Sequence, residues 1–183
     1  EAMVTPAQGR SGQVIATGGL SDLAKESVTN ISAVVKKLTG KDIQDYDLHV
    51  QFPGTHNVDG DSASITMATA IISAFEGVPI DQNMAMTGSL SVRGEVLPIG
   101  GVSAKIEAAV KSGIERVIIP RSNLQDVLID EKYESMVEVL PVDSLDEVLQ
   151  HALVGAEDKV SLVERLANVI DTISSGPDTQ PSA

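Results

Sequence analysis

One short segment concentrates residues that could carry out nucleophilic chemistry. Residues 59–64, with the sequence DGDSAS, join a loop to an apolar helix predicted over residues 63–75. Backbone N–H groups are unpaired at the start of a helix, so they could stabilise a developing oxyanion there. Ser62 is therefore a candidate nucleophile. The same pattern also suits a simple helix cap formed by Ser62 or Asp61, because serine and aspartate are preferred capping residues.

A nucleophilic serine needs a base, and histidine is the usual partner. His56 lies on the same loop as Ser62, His49 lies on the polar side of a predicted strand, and His151 lies in an acidic helix. A Ser-His-Asp site made of Ser62, His56 and Asp59 would be typical of a stand-alone esterase or amidase. Its three partners would all come from seven residues of one loop, which makes a fixed geometry difficult to hold.

A lysine is the other possible base, provided that burial or a helix N-terminus lowers its pKa well below ~10.4. Lys105 fits this requirement because it lies in the first turn of a predicted helix, directly after Gly100-Gly101 and among apolar residues. A surface charge beside Glu107 is the simpler interpretation of Lys105 when that segment is considered alone. The residues by themselves leave the identity of the base open.

Composition argues against several other classes of protein. The 183 residues include no cysteine, which excludes a disulfide scaffold, a cysteine-ligated metal and a cysteine nucleophile. Lys and Arg number 13 against 26 Asp and Glu, and this net charge of −13 argues against binding to nucleic acid or to an anionic membrane surface. The longest uncharged, mostly apolar stretch, Ser62 to Phe75, is shorter than the ~20 residues that a membrane span requires.

Apolar residues at helical spacing predict six helices that could position these candidates. Ser21 is predicted to cap the first helix and Gly40 to end it. Ser103 is predicted to cap the helix that carries Lys105, which Gly113 should end. The predicted helices cover residues 22–39, 63–75, 103–113, 121–130, 144–153 and 162–173.

Extended segments are predicted over residues 3–19, 47–52, 117–119 and 137–142. Residues 85–99 predict a hairpin in which strands Met86–Val92 and Glu95–Ile99 flank a turn at Arg93-Gly94. Because strands and helices mix without regular alternation, we expect an α/β (α+β) fold with mixed β-sheets packed against helices. The expected domain covers residues 1–173, and the polar tail 174–183 is expected to be disordered.

The DGDSAS segment is followed by further motifs at long range. They are Thr87-Gly88, the block RGEVLPIGG over residues 93–101, and Lys105. Together with residues 60–63, they closely resemble the proteolytic domain of Lon, the ATP-dependent AAA+ serine protease. The resemblance covers residues 49–120 and continues more weakly to residue 153. Many bacterial members have proline before the serine and glycine after the alanine, so this variant is similar to the archaeal, LonB-like type.

The resemblance implies a serine endopeptidase with a Ser-Lys catalytic dyad, in which Ser62 is the nucleophile and Lys105 the general base. A carboxylate paired with Lys105 would hold the site in a closed form and raise the pKa of the lysine. We therefore expect activity to increase as the pH rises above neutral. The second histidine of the bacterial pattern is replaced by Gln51, so no role is carried over to that position. The supporting residues implied by the resemblance are Thr87, Asp59, Asp61 and Gly60.

The resemblance also implies partners outside this chain. ATP and Mg are expected on a separate AAA+ module of the same parent protein, and no cofactor or metal is expected in this chain, which has no phosphate-loop motif. The expected partners are unfolded, damaged or regulatory protein substrates and identical copies in a hexameric ring, without nucleic acid.

The first residue is Glu1, not methionine, which suggests a fragment of a longer protein. A cytoplasmic domain is expected, and a parent of archaeal type can be anchored to the cytoplasmic face of the membrane. The alternative function is a non-catalytic ring-assembly module of the same fold, which would be expected to lack the Ser62 and Lys105 pair.

Overall fold

The computed structural model describes residues 1–9, 11–54 and 58–175. His56 and most of the predicted tail lie outside these residues, so the alternative site at His56 and the disordered tail stay predictions. The described helices are α1 (Asp22–Thr39), α2 (Ser64–Glu76), α3 (Val102–Lys111), α4 (Glu131–Glu134), α5 (Leu145–Ala152) and α6 (Ala156–Ser175). The described strands are β1 (Ala2–Pro6), β2 (Val14–Thr17), β3 (Tyr46–Gln51), β4 (Met84–Met86), β5 (Ser89–Leu90), β6 (Val96–Leu97), β7 (Arg116–Pro120) and β8 (Glu138–Val142).

The strands form three small sheets, which confirms the predicted α/β class. In the first sheet, of order β1-β3-β2, the central strand β3 is antiparallel to β1 and parallel to β2. The second sheet, of order β4-β7-β8, is parallel throughout, and the third is the antiparallel pair β5-β6. Residues that follow parallel strands β4 and β7 therefore emerge at the same edge of the second sheet.

The two helices nearest the first sheet begin and end for identifiable reasons. The Ser21 side chain accepts a hydrogen bond from Ala24 N, and Gly40 ends α1 in the left-handed conformation, as predicted. Helix α2 is mostly buried, as its apolar composition predicts, and ends at Gly77. Its N-cap is Ala63, which makes no side-chain capping bond. The interpretation of Ser62 or Asp61 as the cap of this helix is therefore wrong.

The predicted hairpin is present, but it is shorter than expected. Only β5 and β6 pair with each other, and their turn extends from Ser91 to Gly94, where Gly94 adopts a φ of 93°. Met86, predicted to start the first hairpin strand, belongs to β4 and pairs with Ile118 of β7. Parallel pairing with a distant strand is not visible in the local sequence pattern, which explains the error.

Two further helix predictions need correction. Helix α3 begins after Gly101 without a side-chain cap, because the Ser103 hydroxyl donates to Asp126 O and accepts from Leu128 N. The helix predicted over residues 121–130 is a 3₁₀-helix limited to Arg121–Asp126. Ser103 thus joins α3 to the segment that follows this short helix.

Strand β7 separates two hydrophobic clusters. Ile118 packs in the larger cluster, which contains the buried residues of α2, whereas Val117 and Ile119 pack in a smaller cluster with α3. Alternate residues of a strand point to opposite faces, so α2 and α3 cover opposite faces of the second sheet. Of the helices described, none is long and apolar enough to cross a membrane.

Candidate active site

Ser62 lies, partly buried, in the turn that leads into α2. Its carbonyl oxygen accepts hydrogen bonds from Gly88 N at 2.8 Å and from the Thr87 hydroxyl at 3.1 Å. In the reverse direction, Ile65 N donates to Gly88 O at 3.2 Å. These contacts attach the turn to the segment directly after β4 and fix the backbone position of Ser62.

Position 88, where these two segments meet, leaves little space for a side chain. A Cβ atom on Gly88 would lie 3.1 Å from Cδ1 of Ile65 and 3.2 Å from Cγ1 of Val96. The preceding residue, Thr87, donates its backbone N–H to Ile118 O at 3.0 Å and so continues the pairing of β4 with β7. A small residue at position 88 therefore lets the side chains of α2 and β6 pack closely against the end of β4.

Lys105 reaches the same place from the opposite face of the sheet. Its Nζ donates to Oγ1 of Thr87 at 3.3 Å, and the Thr87 hydroxyl in turn donates to Ser62 O. Thr87 is 8% exposed, so this bridge is protected from solvent. The structure thus brings Ser62, Thr87 and Lys105 together, and it shows no direct hydrogen bond between the Ser62 hydroxyl and Lys105.

A buried asparagine holds the segment that leads into α3. The Asn123 side chain accepts a hydrogen bond from Ile99 N at 2.8 Å and donates to Ile99 O at 3.0 Å. Asn123 is 4% exposed, and its amide also contacts Asp126. Sequence reasoning missed this residue, because nothing in its neighbourhood marks it as the partner of a backbone segment 24 residues away.

Burial and charge act in opposite directions on the lysine. Partial burial lowers the pKa of Lys105, because the charged ammonium loses hydration, and the negative charge of Asp61 raises it by a smaller amount. The carboxylate of Asp61 accepts a hydrogen bond from the Ser89 hydroxyl at 2.6 Å and forms no ion pair with Lys105. A lysine whose pKa is depressed is better able to accept a proton near neutral pH.

The other candidates lie around this arrangement. Asp59 is exposed, and its side chain accepts a hydrogen bond from Gly60 N at 2.8 Å. Gly60 has a φ of 77°, a conformation that favours glycine. His49 is exposed on β3 and His151 is half-buried on α5, and neither is hydrogen bonded to Ser62.

The loop before Ser62 is tied to the connection between β2 and α1. Leu20 and Val58 form a parallel bridge, Ser21 N donates to Val58 O at 2.9 Å, and Val58 N donates to Gly19 O at 3.1 Å. The DGDSAS segment is therefore held at both ends. Within the described ranges, no three histidine or carboxylate side chains come together as metal ligands could.

A serine hydroxyl close to a partly desolvated lysine is an arrangement that suits a hydrolase, because such a lysine can act as a base for the serine. Comparison with known proteins agrees with this class, since the family model "Lon protease (S16) C-terminal proteolytic domain" matches residues 1–155. The chain belongs to this family of peptidase domains.

Relatives from two domains of life support the assignment. The chain is 53% identical to an archaeal Lon protease of Methanothermobacter thermautotrophicus over 176 residues, covering 95% of this chain and 27% of that protein. The archaeal Lon protease of Archaeoglobus fulgidus is 55% identical over 166 residues, covering 90% of this chain and 27% of that protein. A Lon protease of Azorhizobium caulinodans is 36% identical over 173 residues, covering 90% of this chain and 20% of that protein. The chain spans about a quarter of the length of these archaeal relatives.

Proposed function

We propose that this domain cleaves peptide bonds with a catalytic dyad in which Ser62 is the nucleophile and Lys105 is the general base. The observation that carries the proposal is the hydrogen-bonded connection from Lys105 Nζ through the Thr87 hydroxyl to Ser62. The lowered pKa of Lys105 supports it, because a lysine can accept a proton only in its neutral form.

The reaction follows the pattern of acyl transfer to serine. Ser62 Oγ attacks the scissile carbonyl carbon while Lys105 Nζ takes the hydroxyl proton. Lys105 then gives this proton to the leaving amine as the C–N bond breaks, and water hydrolyses the acyl-enzyme. The backbone N–H of Ser62, in the turn directly before α2, is suited to stabilise the oxyanion, because the N-terminal end of a helix favours negative charge.

Thr87 is proposed to orient the amine of Lys105. Its hydroxyl proton is directed to Ser62 O, so an oxygen lone pair faces Nζ and can accept a hydrogen bond from it. Asp59 and Gly60 are proposed to shape the loop before the nucleophile through their local hydrogen bond. Asp61 is proposed to act through its charge on Lys105.

The function of the whole protein is proposed from its relatives. Because the chain spans about a quarter of the archaeal relatives, an AAA+ module with ATP and Mg would lie in the part of the parent outside this chain. That module would unfold damaged or regulatory proteins and deliver them to Ser62 within a hexameric ring. We propose a cytoplasmic location for the domain, with the parent attached to the membrane surface.

The dyad is tested by finding where a peptide β-lactone acylates the chain. After incubation at pH 8.5, intact mass analysis should show one adduct, and peptide mapping should locate it on Ser62. A Ser62→Ala variant with an unchanged thermal unfolding midpoint serves as the blank. An adduct on another residue, or an adduct that persists in Ser62→Ala, would contradict the proposal.

The charge of Asp61 predicts a shift in the pH dependence of this acylation. Its carboxylate favours the charged lysine and raises the pKa of Lys105, so an Asp61→Asn substitution should lower that pKa. The neutral base then appears at lower pH, and the rising part of the rate profile should move towards lower pH. Rates measured from pH 6 to pH 10 check this, with Asp59→Asn as the matched control. A shift towards higher pH in Asp61→Asn would contradict the assigned role.

A further inference from the structure

We propose that Ser89 is a positioning residue that holds the Asp61 carboxylate away from Lys105 and so keeps the general base free. The proposal deepens the function given above and rests on it. It assigns a role to a buried hydroxyl that neither the nucleophile nor the base contacts directly. The observations are a short hydrogen bond, the burial of its donor and the surroundings of the lysine.

The hydrogen bond joins a buried serine to an exposed carboxylate. Ser89 is the first residue of β5 and is 6% exposed, and its Oγ lies 2.6 Å from Oδ2 of Asp61. Water could satisfy the exposed Asp61 carboxylate equally well, so the bond is not needed to compensate burial of the acid. Its effect is to fix one orientation of the carboxylate, and hydrogen bonds to a charged acceptor are strong enough to do so.

The backbone around Asp61 limits where its side chain can go. Asp61 O accepts hydrogen bonds from Ser64 N at 2.9 Å and from Ser64 Oγ at 2.5 Å, which fixes the main chain of the turn. The carboxylate can therefore change partner only by rotating about its own side-chain bonds. Ser89 is one partner of the carboxylate. Lys105 is the alternative, because its Nζ donates to the Thr87 hydroxyl, which in turn donates to the carbonyl oxygen of Ser62, the residue next to Asp61.

Other charged groups on the elements packed against α3 already have partners. Glu107 on the same helix pairs with Lys111 at 3.2 Å. Asp126, at the end of the 3₁₀-helix, accepts a hydrogen bond from Asn123 at 3.0 Å. Arg116 on β7 pairs with Asp81. Of the described carboxylates, Asp61 is the one whose charge acts on Lys105, so its orientation controls the electrostatic surroundings of the base.

Removing the Ser89 hydroxyl should change the partner of Asp61. The freed carboxylate would rotate towards the positive charge that already attracts it, the ammonium of Lys105. An ion pair between Asp61 and Lys105 favours the protonated lysine, which cannot accept the proton of Ser62. The chemistry of the dyad itself is unchanged, so full activity should return at a pH high enough to deprotonate Lys105.

The test measures the pH dependence of acylation by the peptide β-lactone in Ser89→Ala. The rising part of the profile should move up by about one pH unit, so the rate at pH 7.5 falls about tenfold while the plateau is retained. Ser91→Ala, the same chemical change in the adjacent turn, should leave the profile in place. Ser89→Thr keeps a hydroxyl and should restore the wild-type profile.

A double variant separates positioning from simple damage to the fold. An Asp61→Asn variant has no carboxylate at position 61 that could pair with Lys105. Adding Ser89→Ala to it should therefore not shift the pH profile of acylation further. A loss in Ser89→Ala that is equal at every pH, or that persists in the double variant, would overturn the proposal. An unchanged profile in Ser89→Ala would also overturn it.

A second measurement does not depend on catalysis. The Cε signal of Lys105, assigned through its absence in Lys105→Arg, can be followed by NMR as the pH is raised. Its titration midpoint should increase in Ser89→Ala and stay unchanged when the same substitution is added to Asp61→Asn. If the midpoint moves as expected but wild-type chain forms no adduct on Ser62, the dyad is refuted and the positioning of Asp61 stands. If the adduct forms on Ser62 but the titration midpoint does not move in Ser89→Ala, the dyad stands and the positioning of Asp61 by Ser89 is refuted.

Discussion

A Lys105→Met variant is expected to lose acylation of Ser62, with a rate reduced by about a thousandfold or more at pH 8.5. Methionine fills a similar volume but has no amine to take the hydroxyl proton. Thr87 would also lose the donor that lies 3.3 Å from its hydroxyl in the structure. Intact mass analysis over time, with the peptide β-lactone in excess, gives the rate directly.

The chain offers a matched control for this variant on the same helix. Lys111 lies at the end of α3, its side chain is 57% exposed, and it pairs with Glu107 on the surface. Lys111→Met should therefore acylate at the wild-type rate. Acylation of Lys105→Met at a rate close to that of Lys111→Met would exclude Lys105 as the base and would favour a histidine as the base instead.

Gly18→Ala is expected to lower the free energy of unfolding by about 3 kcal/mol or more, since strained backbone and steric overlap both contribute. Gly18 has a φ of 110°, which L-residues rarely adopt, and a Cβ atom there would overlap the carbonyl oxygen of Phe52. The overlap is with backbone, and Phe52 N is itself held by a hydrogen bond to Thr17 O at 3.1 Å. Neither the backbone at Gly18 nor the backbone at Phe52 can move without breaking the end of the pairing between β2 and β3.

Urea unfolding followed by circular dichroism measures this effect, and Gly40→Ala provides the comparison. Gly40 also has a positive φ, of 69°, but a Cβ atom there would meet nothing within 4 Å. Its substitution should cost only about 1 kcal/mol, from backbone strain alone. Equal losses in the two variants would show that the close contact with Phe52 does not contribute.

Local sequence signals predict where single helices and strands lie better than they predict which strands pair. Helix α1 begins at Ser21 and ends at Gly40 as expected, because capping chemistry acts between residues a few positions apart. Met86 was assigned to the wrong sheet, because its partner Ile118 lies in a distant strand. The pairing of parallel strands depends on tertiary packing, which the alternation of residues along one strand does not encode.

The candidate site shows the same difference between features with a local sequence signal and features that depend on long-range contacts. Ser62 and Lys105 are candidates because each belongs to a motif that resembles a family, although neither motif alone identifies the chemistry. Ser89 and Asn123 were not recognised, because their side chains act on Asp61 and Ile99, which are distant in sequence. A hydroxyl or amide that becomes important only through long-range contacts has no local signature.

The central position of strand β7 has one further consequence for how the candidate site is assembled when the domain folds. The proposed nucleophile Ser62 precedes the helix that packs in the cluster on one side of this strand, and the proposed base Lys105 lies on the helix that packs in the cluster on the other side. A chain that has packed only one of these halves holds Ser62 without Lys105 beside it, or Lys105 without Ser62. Under the proposed mechanism, the site is complete only once both halves have packed against this strand.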